Sequence, residues 1–240
     1  MLRIALGVRV GSRPHQESHA PAAGGRDQPD CIDAKALLLQ LTRMSLEQTR
    51  RVRTVVREEP VAQLPLQAKI PVAFRVERYL DVTPSPGSRG VLLLKEQVAR
   101  KPFDKDYDAI PNNDPASWLT RFNTASWALL GAYQRDERVG GAVVIPPGDD
   151  AVHREPGIAV LWDIRVVPGK RGDGVGAALF KAAMAWAKGR GLSALQAETQ
   201  NVNLAGCRFY ERMGCRLVSA DANAYPEFPD EVRMIWRKQL

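Results

Sequence analysis

The chain has 240 residues, of which 45% are hydrophobic and 25% charged. That is ordinary globular composition and excludes a wholly disordered chain, a collagen and a disulfide-dense miniprotein. The net charge of +7 is divided between residues 1–60 (+3) and 161–240 (+4) with a neutral middle, whereas a nucleic-acid binder concentrates more positive charge in one stripe.

No apolar run approaches the ~18 residues that a membrane span needs, so no membrane role is expected. Cys31, Cys207 and Cys215 form no CxxC spacing, which argues against a disulfide framework or a zinc site and for a reducing cytoplasm. His15 and His19 lie four positions apart, but prolines flank them and no apolar helical face supports a metal site there.

Residues 11–30 are rich in Gly, Pro and Ser, and residues 1–43 are expected to be a disordered or non-native extension ahead of a start-like Met44. A single domain is expected over 44–240. Helical text runs from Ala34 to Glu59 and ends at Pro60. A loop follows between Pro65 and Pro71. Residues 72–82 alternate as a strand, 83–90 form a turn cluster and 91–98 a second strand.

The turn-rich stretch 101–117 precedes a short helix near Trp118–Phe122. WALLGAYQ (127–134) and VGGAVVI (139–145) read as a hairpin. Residues 157–167 hold an almost unbroken apolar run suited to a central strand. Then come a helix over 175–190 stopped by Gly191, a strand over 194–199, a helix over 203–213 stopped by Gly214, and strands over 215–219 and 231–237.

The most informative segment is VVPGKRGDGVGAALF (166–180), in which a strand ends, a glycine-rich loop follows and a helix begins. Such a loop can turn backbone N–H groups toward one point, and the helix start adds partial positive charge, so it suits a phosphate. A nucleotide-hydrolysing loop needs GK followed by Ser or Thr, and here Val175 and Gly176 follow Gly174. The dinucleotide pattern is met only formally by Gly172, Gly174 and Ala177, because Pro168–Arg171 separates it from the strand.

The pattern that fits throughout is Arg171-x-x-Gly174-x-Gly176. With it, the sequence resembles the GNAT superfamily of acyl-CoA-dependent N-acetyltransferases. The resemblance extends to ETQNVNLAGCRFYERMGC (198–215), where Asn203 opens a helix and Tyr210 follows. Seven helical residues turn through about 700°, so both side chains face one way, roughly 10 Å apart. Over about residues 127–238 the chain resembles the streptothricin acetyltransferases and their relatives.

The resemblance implies a mixed α/β (α+β) fold with a mostly antiparallel central sheet flanked by helices. It also implies acetyl-CoA as cosubstrate and a small-molecule amine as acceptor, and leaves a homodimer open. The cofactor-binding set is Val166, Val167, Arg171, Gly172, Asp173, Gly174, Val175, Gly176 and Asn203. In direct transfer a neutral amine attacks the thioester and the thiolate of coenzyme A leaves. A thiol of pKa near ~8.5 and a Tyr near ~10 are close enough for Tyr210 to act as general acid.

Asp163 and Glu198 are the candidate bases, with pairing of Asp163 to Arg165 as the competing reading. Cys207 and Cys215 are expected to pack in the core rather than to act as nucleophiles. Trp162, Tyr225, Glu227 and Asp230 are expected at the acceptor end. There the acidic loop 221–231 would attract a polycationic amine such as a β-lysyl chain, with Phe228 covering its apolar stem. A non-catalytic acyl-CoA-binding module is the alternative function, and the paired Asn203 and Tyr210 favour the enzyme.

Overall fold

The computed structural model describes residues 52–84, 92–149 and 155–240. The expected extension, the domain start at Met44, the helical text from Ala34 to Arg51 and most of the turn cluster at 83–90 lie outside them. The elements are β1 (Thr54–Glu59), α1 (Leu64–Ala68), β2 (Phe74–Pro84), β3 (Leu92–Lys105), α2 (Pro115–Arg121), β4 (Ala128–Gln134) and β5 (Glu137–Ile145). They continue with β6 (Ile158–Val166), α3 (Val175–Gly189), β7 (Ala194–Gln200), α4 (Leu204–Arg212), β8 (Arg216–Asp221) and β9 (Arg233–Gln239).

A seven-stranded sheet runs in the order β1-β4-β5-β6-β7-β9-β8, and β2 pairs with β3 as a separate ribbon. Neighbours in the large sheet are antiparallel except β6 and β7. A parallel pair needs a crossover, and α3 supplies it. The expected mixed, mostly antiparallel sheet with flanking helices is therefore present.

The near-continuous apolar text of β4 and β5 reflects burial on both faces. On one face Leu130, Ala132, Ala142 and Val144 pack against Val175, Leu179 and Phe180 of α3. On the other, Leu129, Val143 and Ile145 pack with Leu64, Trp118 and Trp127. Full burial of an aliphatic or aromatic side chain contributes about 1.5–3 kcal/mol, so α3 is held chiefly by this stripe.

Three expectations are corrected. Thr54–Glu59 is an edge strand rather than a helix end, because its β-branched run pairs with β4 from Thr54↔Gln134 to Glu59↔Leu129. The loop expected between Pro65 and Pro71 includes α1. Pro65 stands in the helix's first turn, where its missing N–H costs nothing, and Leu64 is fully buried. The turn-rich text after Lys101 starts as strand, since β3 continues to Lys105 opposite Phe74. The register shifts between Val76 and Arg78, and Pro102 is accommodated in that irregular stretch.

Asn201, buried just after β7, joins three segments. Its backbone O accepts from Leu80 N and its Nδ2 donates to Leu80 O, both at 3.0 Å. Its backbone N donates to Val232 O at 3.1 Å and its Oδ1 accepts from Val232 N at 2.8 Å. One side chain thus extends strand-like pairing to the β2–β3 ribbon and to the loop before β9.

Candidate active site

Strands β6 and β7 pair from Ile158↔Ala194 only as far as Leu161↔Ala197, although β6 runs on to Val166 and β7 to Gln200. At the same point the β5–β6 register shifts, so that Val143 faces Asp163 and Val144 faces Leu161, leaving Trp162 as the extra residue. A bulge bends its strand and re-aims the following side chains. The strands separate here, and the ladder to β7 ends with Trp162–Val166 still extended. A cleft of about 980 Å³ occupies the opening.

Trp162, Asp163, Val166, Arg171, Gly172, Gly174, Gly176, Glu198, Asn203 and Tyr210 all line this cleft. Ten of the residues singled out from sequence thus come together. Val167, Asp173, Val175, Tyr225, Glu227 and Asp230 are not among its lining residues.

The glycine loop behaves as its composition suggests. Gly174 is the N-cap of α3 with φ +86°, a left-handed conformation that L side chains rarely adopt, and it offers no capping side chain. The first-turn N–H groups of α3 therefore have no intrahelical acceptor and are available to an anion. Gly176 serves differently, because a Cβ there would stand 3.2 Å from the Phe209 ring. Its smallness brings α4 close to the start of α3.

Val175 turns its side chain into the core, 1% exposed, so only its backbone can serve a ligand. Arg171 donates from Nε to Val166 O at 3.2 Å and from a terminal nitrogen to Pro71 O at 3.0 Å. Its charge is thereby anchored at the cleft mouth. Asp173 is exposed.

Asn203 is the N-cap of α4, and its Oδ1 accepts from Gly206 N at 2.9 Å. This leaves its Nδ2 for the cleft. Because Asn203 stands before the helix proper, the even 100° spacing to Tyr210 begins one residue later than the sequence implied. Tyr210 is 6% exposed, and its ring stacks at 6.4 Å on Trp236 and lies 5.3 Å from Phe209. It is both a core aromatic and a cleft residue. Burial, with smaller contributions from Cys215, Asp163 and Cys207, pushes its pKa well above 10 and keeps the hydroxyl protonated.

Cys207 and Cys215 are buried free thiols. Burial pushes Cys207 up to about 12 and Cys215 to about 11, so neither is a ready thiolate.

The two candidate bases differ. Asp163 is paired: Arg165 Nε donates to its two oxygens at 3.0 and 2.9 Å, and Gln67 Nε2 donates to Oδ2 at 2.6 Å. Arg165 also clasps Asp108 at 2.6 and 2.9 Å and donates to Ile70 O at 3.1 Å. Pairing with Arg165, the competing reading of Asp163, is what the structure contains. Glu198 is exposed at the end of β7 and accepts from the Tyr225 hydroxyl at 2.6 Å.

The acidic loop is corrected in part. Phe228 covers the protein's own Lys105, whose Nζ lies 3.6 Å from the ring centroid, and Glu231 forms a buried ion pair with the same lysine. Asp221 pairs with Arg233 at 3.1 Å. Glu227 and Asp230 are exposed outside the cleft lining, while Tyr225 reaches the cleft through Glu198.

Sequence reading missed Gln67, Tyr107, Asp108, Trp118 and Phe74. Of these, Tyr107, Trp118 and Phe74 line the cleft. Trp118, Phe122, Trp127 and Trp162 form an aromatic cluster with ring centroids 5.6–6.2 Å apart. The aromatic spacing was the one available signal, and it lies across loops of irregular length. Among the described residues no group of His, Cys, Asp and Glu could hold a metal ion, and no helix is long and apolar enough to cross a membrane.

A family model, the acetyltransferase (GNAT) family, matches residues 95–215. Streptothricin acetyltransferase A of Bacillus subtilis is 35% identical over 82 residues, covering 33% of this chain and 47% of that enzyme. The match thus spans about half the length of that relative. A streptothricin acetyltransferase of Escherichia coli is 29% identical over 166 residues, 68% of this chain and 83% of the enzyme. Among solved structures, a Bacillus anthracis protein assigned as a streptothricin acetyltransferase, in complex with acetyl coenzyme A, has a TM-score of 0.61 at 23% identity. That match covers 80% of this chain and 99% of the other. Nourseothricin acetyltransferase has a TM-score of 0.60 at 24% identity over 78% of this chain and 98% of its own. At these identities the structural likeness shows the fold.

Proposed function

The chain belongs to the acetyltransferase (GNAT) family, and from that premise we propose that it moves an acetyl group from acetyl-CoA to a primary amine of a small, cationic acceptor. The observation that carries the reading is the parting of β6 from β7, which opens a cleft that the glycine loop also lines. Backbone groups of Trp162–Val166 would bind the amides of the pantetheine arm, and one N–H would polarise the thioester carbonyl. Arg171 and the first-turn amides of α3 would hold the pyrophosphate. Asn203 would steady the arm through Nδ2.

Tyr210 would give its proton to the departing thiolate, a role suited to a phenol that burial keeps protonated. Glu198, exposed at the cleft rim, is the better placed base, taking the amine's proton directly or through water. The two acids assigned from sequence then separate in role, because the Asp163 oxygens already accept from Arg165 and Gln67. A streptothricin-like or polyamine-like acceptor is supported by the named relatives and by the two carboxylates of the cleft lining, Asp163 and Glu198. The cysteine usage fits a cytoplasmic setting.

The test is release of free thiol from acetyl-CoA with streptothricin, spermidine and a set of monoamines, with mass spectrometry of the products. Acetylated amine is the expected result. Tight acetyl-CoA binding with no product from any amine would favour a binding module instead.

A further inference from the structure

A chain of hydrogen-bonded side chains crosses the sheet face that carries α1. The Tyr133 hydroxyl donates to Glu59. Arg138 bonds both Glu59 oxygens, from Nε at 3.2 Å to each and from a terminal nitrogen at 3.0 Å to one. That terminal nitrogen also reaches Gln67 Oε1 at 3.1 Å. Gln67 Nε2 then donates to Asp163 at 2.6 Å, and Asp163 leads to Arg165 and Asp108.

Gln67 is fully buried, and both ends of its amide are used. Its orientation is therefore assigned by its neighbours: the oxygen must face Arg138 and the nitrogen must face Asp163. The sheet makes room for this chain. Gly131 and Gly141 stand directly opposite each other in β4 and β5. A Cβ at Gly131 would run into the Glu59 carboxylate, and one at Gly141 into Gln67 Oε1.

Three carboxylates (Glu59, Asp163 and Asp108) face two guanidiniums (Arg138 and Arg165), so the chain holds one excess negative charge. Only Asp163 and Arg165 of its members line the cleft. The Arg165 side chain is 2% exposed and that of Asp163 13%, so the carboxylate is the member that presents charge to a ligand.

We propose that Gln67 is a positioning residue, which holds the Asp163 carboxylate as a fixed anion for the charged group of a cationic acceptor. The proposal rests on the acetyltransferase reading above and deepens it by placing the acceptor's positive charge at β6 rather than at the 221–231 loop. Asp163 needs its two donors because a carboxylate left to rotate would lose the geometry that selects one amine over another. Arg165 Nε reaches both Asp163 oxygens, and Gln67 adds a second donor to Oδ2 from another element, α1.

The experiment is a double-mutant cycle on steady-state kinetics, with streptothricin and spermidine as acceptors. Gln67→Met keeps side-chain volume and removes the donor. It should raise the acceptor KM about 3- to 10-fold, the net effect of one lost hydrogen bond, and leave the acetyl-CoA KM unchanged. Asp163→Asn should raise the acceptor KM at least as much. The double variant should be no worse than Asp163→Asn alone, because Gln67 acts through that carboxylate.

Independent, multiplying effects would overturn the proposal, as would equal rises in both substrates' KM, which mark a merely structural role. If Gln67→Met lowers the melting temperature too far for assay, Asp163→Asn alone keeps the proposal testable, because it removes the anion itself. The same acceptor-specific rise is expected of it, and an unchanged KM would overturn the proposal. A wild-type protein that acetylates neither probe nor any monoamine would overturn the acetyltransferase reading and this inference together. An active wild type with an additive cycle would overturn the inference alone.

Discussion

Tyr225 donates its hydroxyl hydrogen to Glu198 Oε1 at 2.6 Å and accepts from Gln200 Nε2 at 2.8 Å. The bond ties the 222–232 loop to the end of β7 at the cleft rim. A residue expected to touch the acceptor and a residue expected to take its proton are thus direct partners. Burial, then the bond to Glu198, raises the Tyr225 pKa far above 10, so the hydroxyl remains a donor throughout the neutral range.

Tyr225→Phe should free Glu198 to move. We expect kcat/KM for the acceptor to fall several-fold, about the loss of one charge-assisted hydrogen bond, with the acetyl-CoA KM unaltered. Steady-state kinetics with each substrate varied in turn checks this; equal losses for both substrates would contradict it.

Tyr210→Phe removes a hydroxyl from a side chain that otherwise keeps its packing against Phe209 and Trp236. The fold and acetyl-CoA affinity should be retained. The loss should appear in kcat, by roughly 10²–10⁴-fold if general-acid transfer is fully removed. Single-turnover rates isolate the chemical step, and an unchanged rate there would rule out the assigned role.

Gly174→Val places a β-branched residue at φ +86°. A left-handed residue costs about 1–2 kcal/mol, and more for a branched one, so the loop should rearrange. The acetyl-CoA KM should rise first and most, while the acceptor KM changes little. Calorimetric binding of coenzyme A provides an independent reading.

Alkaline stability follows from the buried thiols and phenols. Cys207 titrates at about 12 and Cys215 at about 11 in the fold, against 9.0 as the ordinary value. Each group retains its proton in the native state after the unfolded chain has lost it. The native state therefore binds more protons over that window, and stability must fall as pH rises. The melting temperature should be level to about pH 8, then decline from about pH 9, and more steeply above 10 as the unfolded counterparts of Tyr210 and Tyr225 ionise. Cys207→Ala should flatten the first part of that decline. A melting temperature that rises between pH 9 and 11 would contradict the sign.

Much of the site was legible because it is local. Gly172, Gly174 and Gly176 lie where a strand passes through a short loop into a helix, and Asn203 caps the helix that carries Tyr210. The apolar stripe of α3 announced its buried face, and the almost unbroken apolar run of 157–167 announced β6, the middle strand of the large sheet. These features depend on neighbours a few positions away, so residue type and spacing are enough to specify them.

Only the tertiary structure decided the rest. Thr54–Glu59 became a strand because the edge of β4 was open to it, which no local pattern states. Asp163 had two readings in the sequence; Arg165 alone was a near neighbour, while Gln67 reaches Asp163 from 96 positions away and Asp108 reaches Arg165 from 57. Glu198 meets Tyr225, and Phe228 meets Lys105, because the last loop folds back over the ends of β7 and β3. Charge and hydrogen bonding act through space with no regard for order along the chain. The sequence could therefore name the groups that carry chemistry, but which of them are free to act and which are already paired was settled only when the sheet closed.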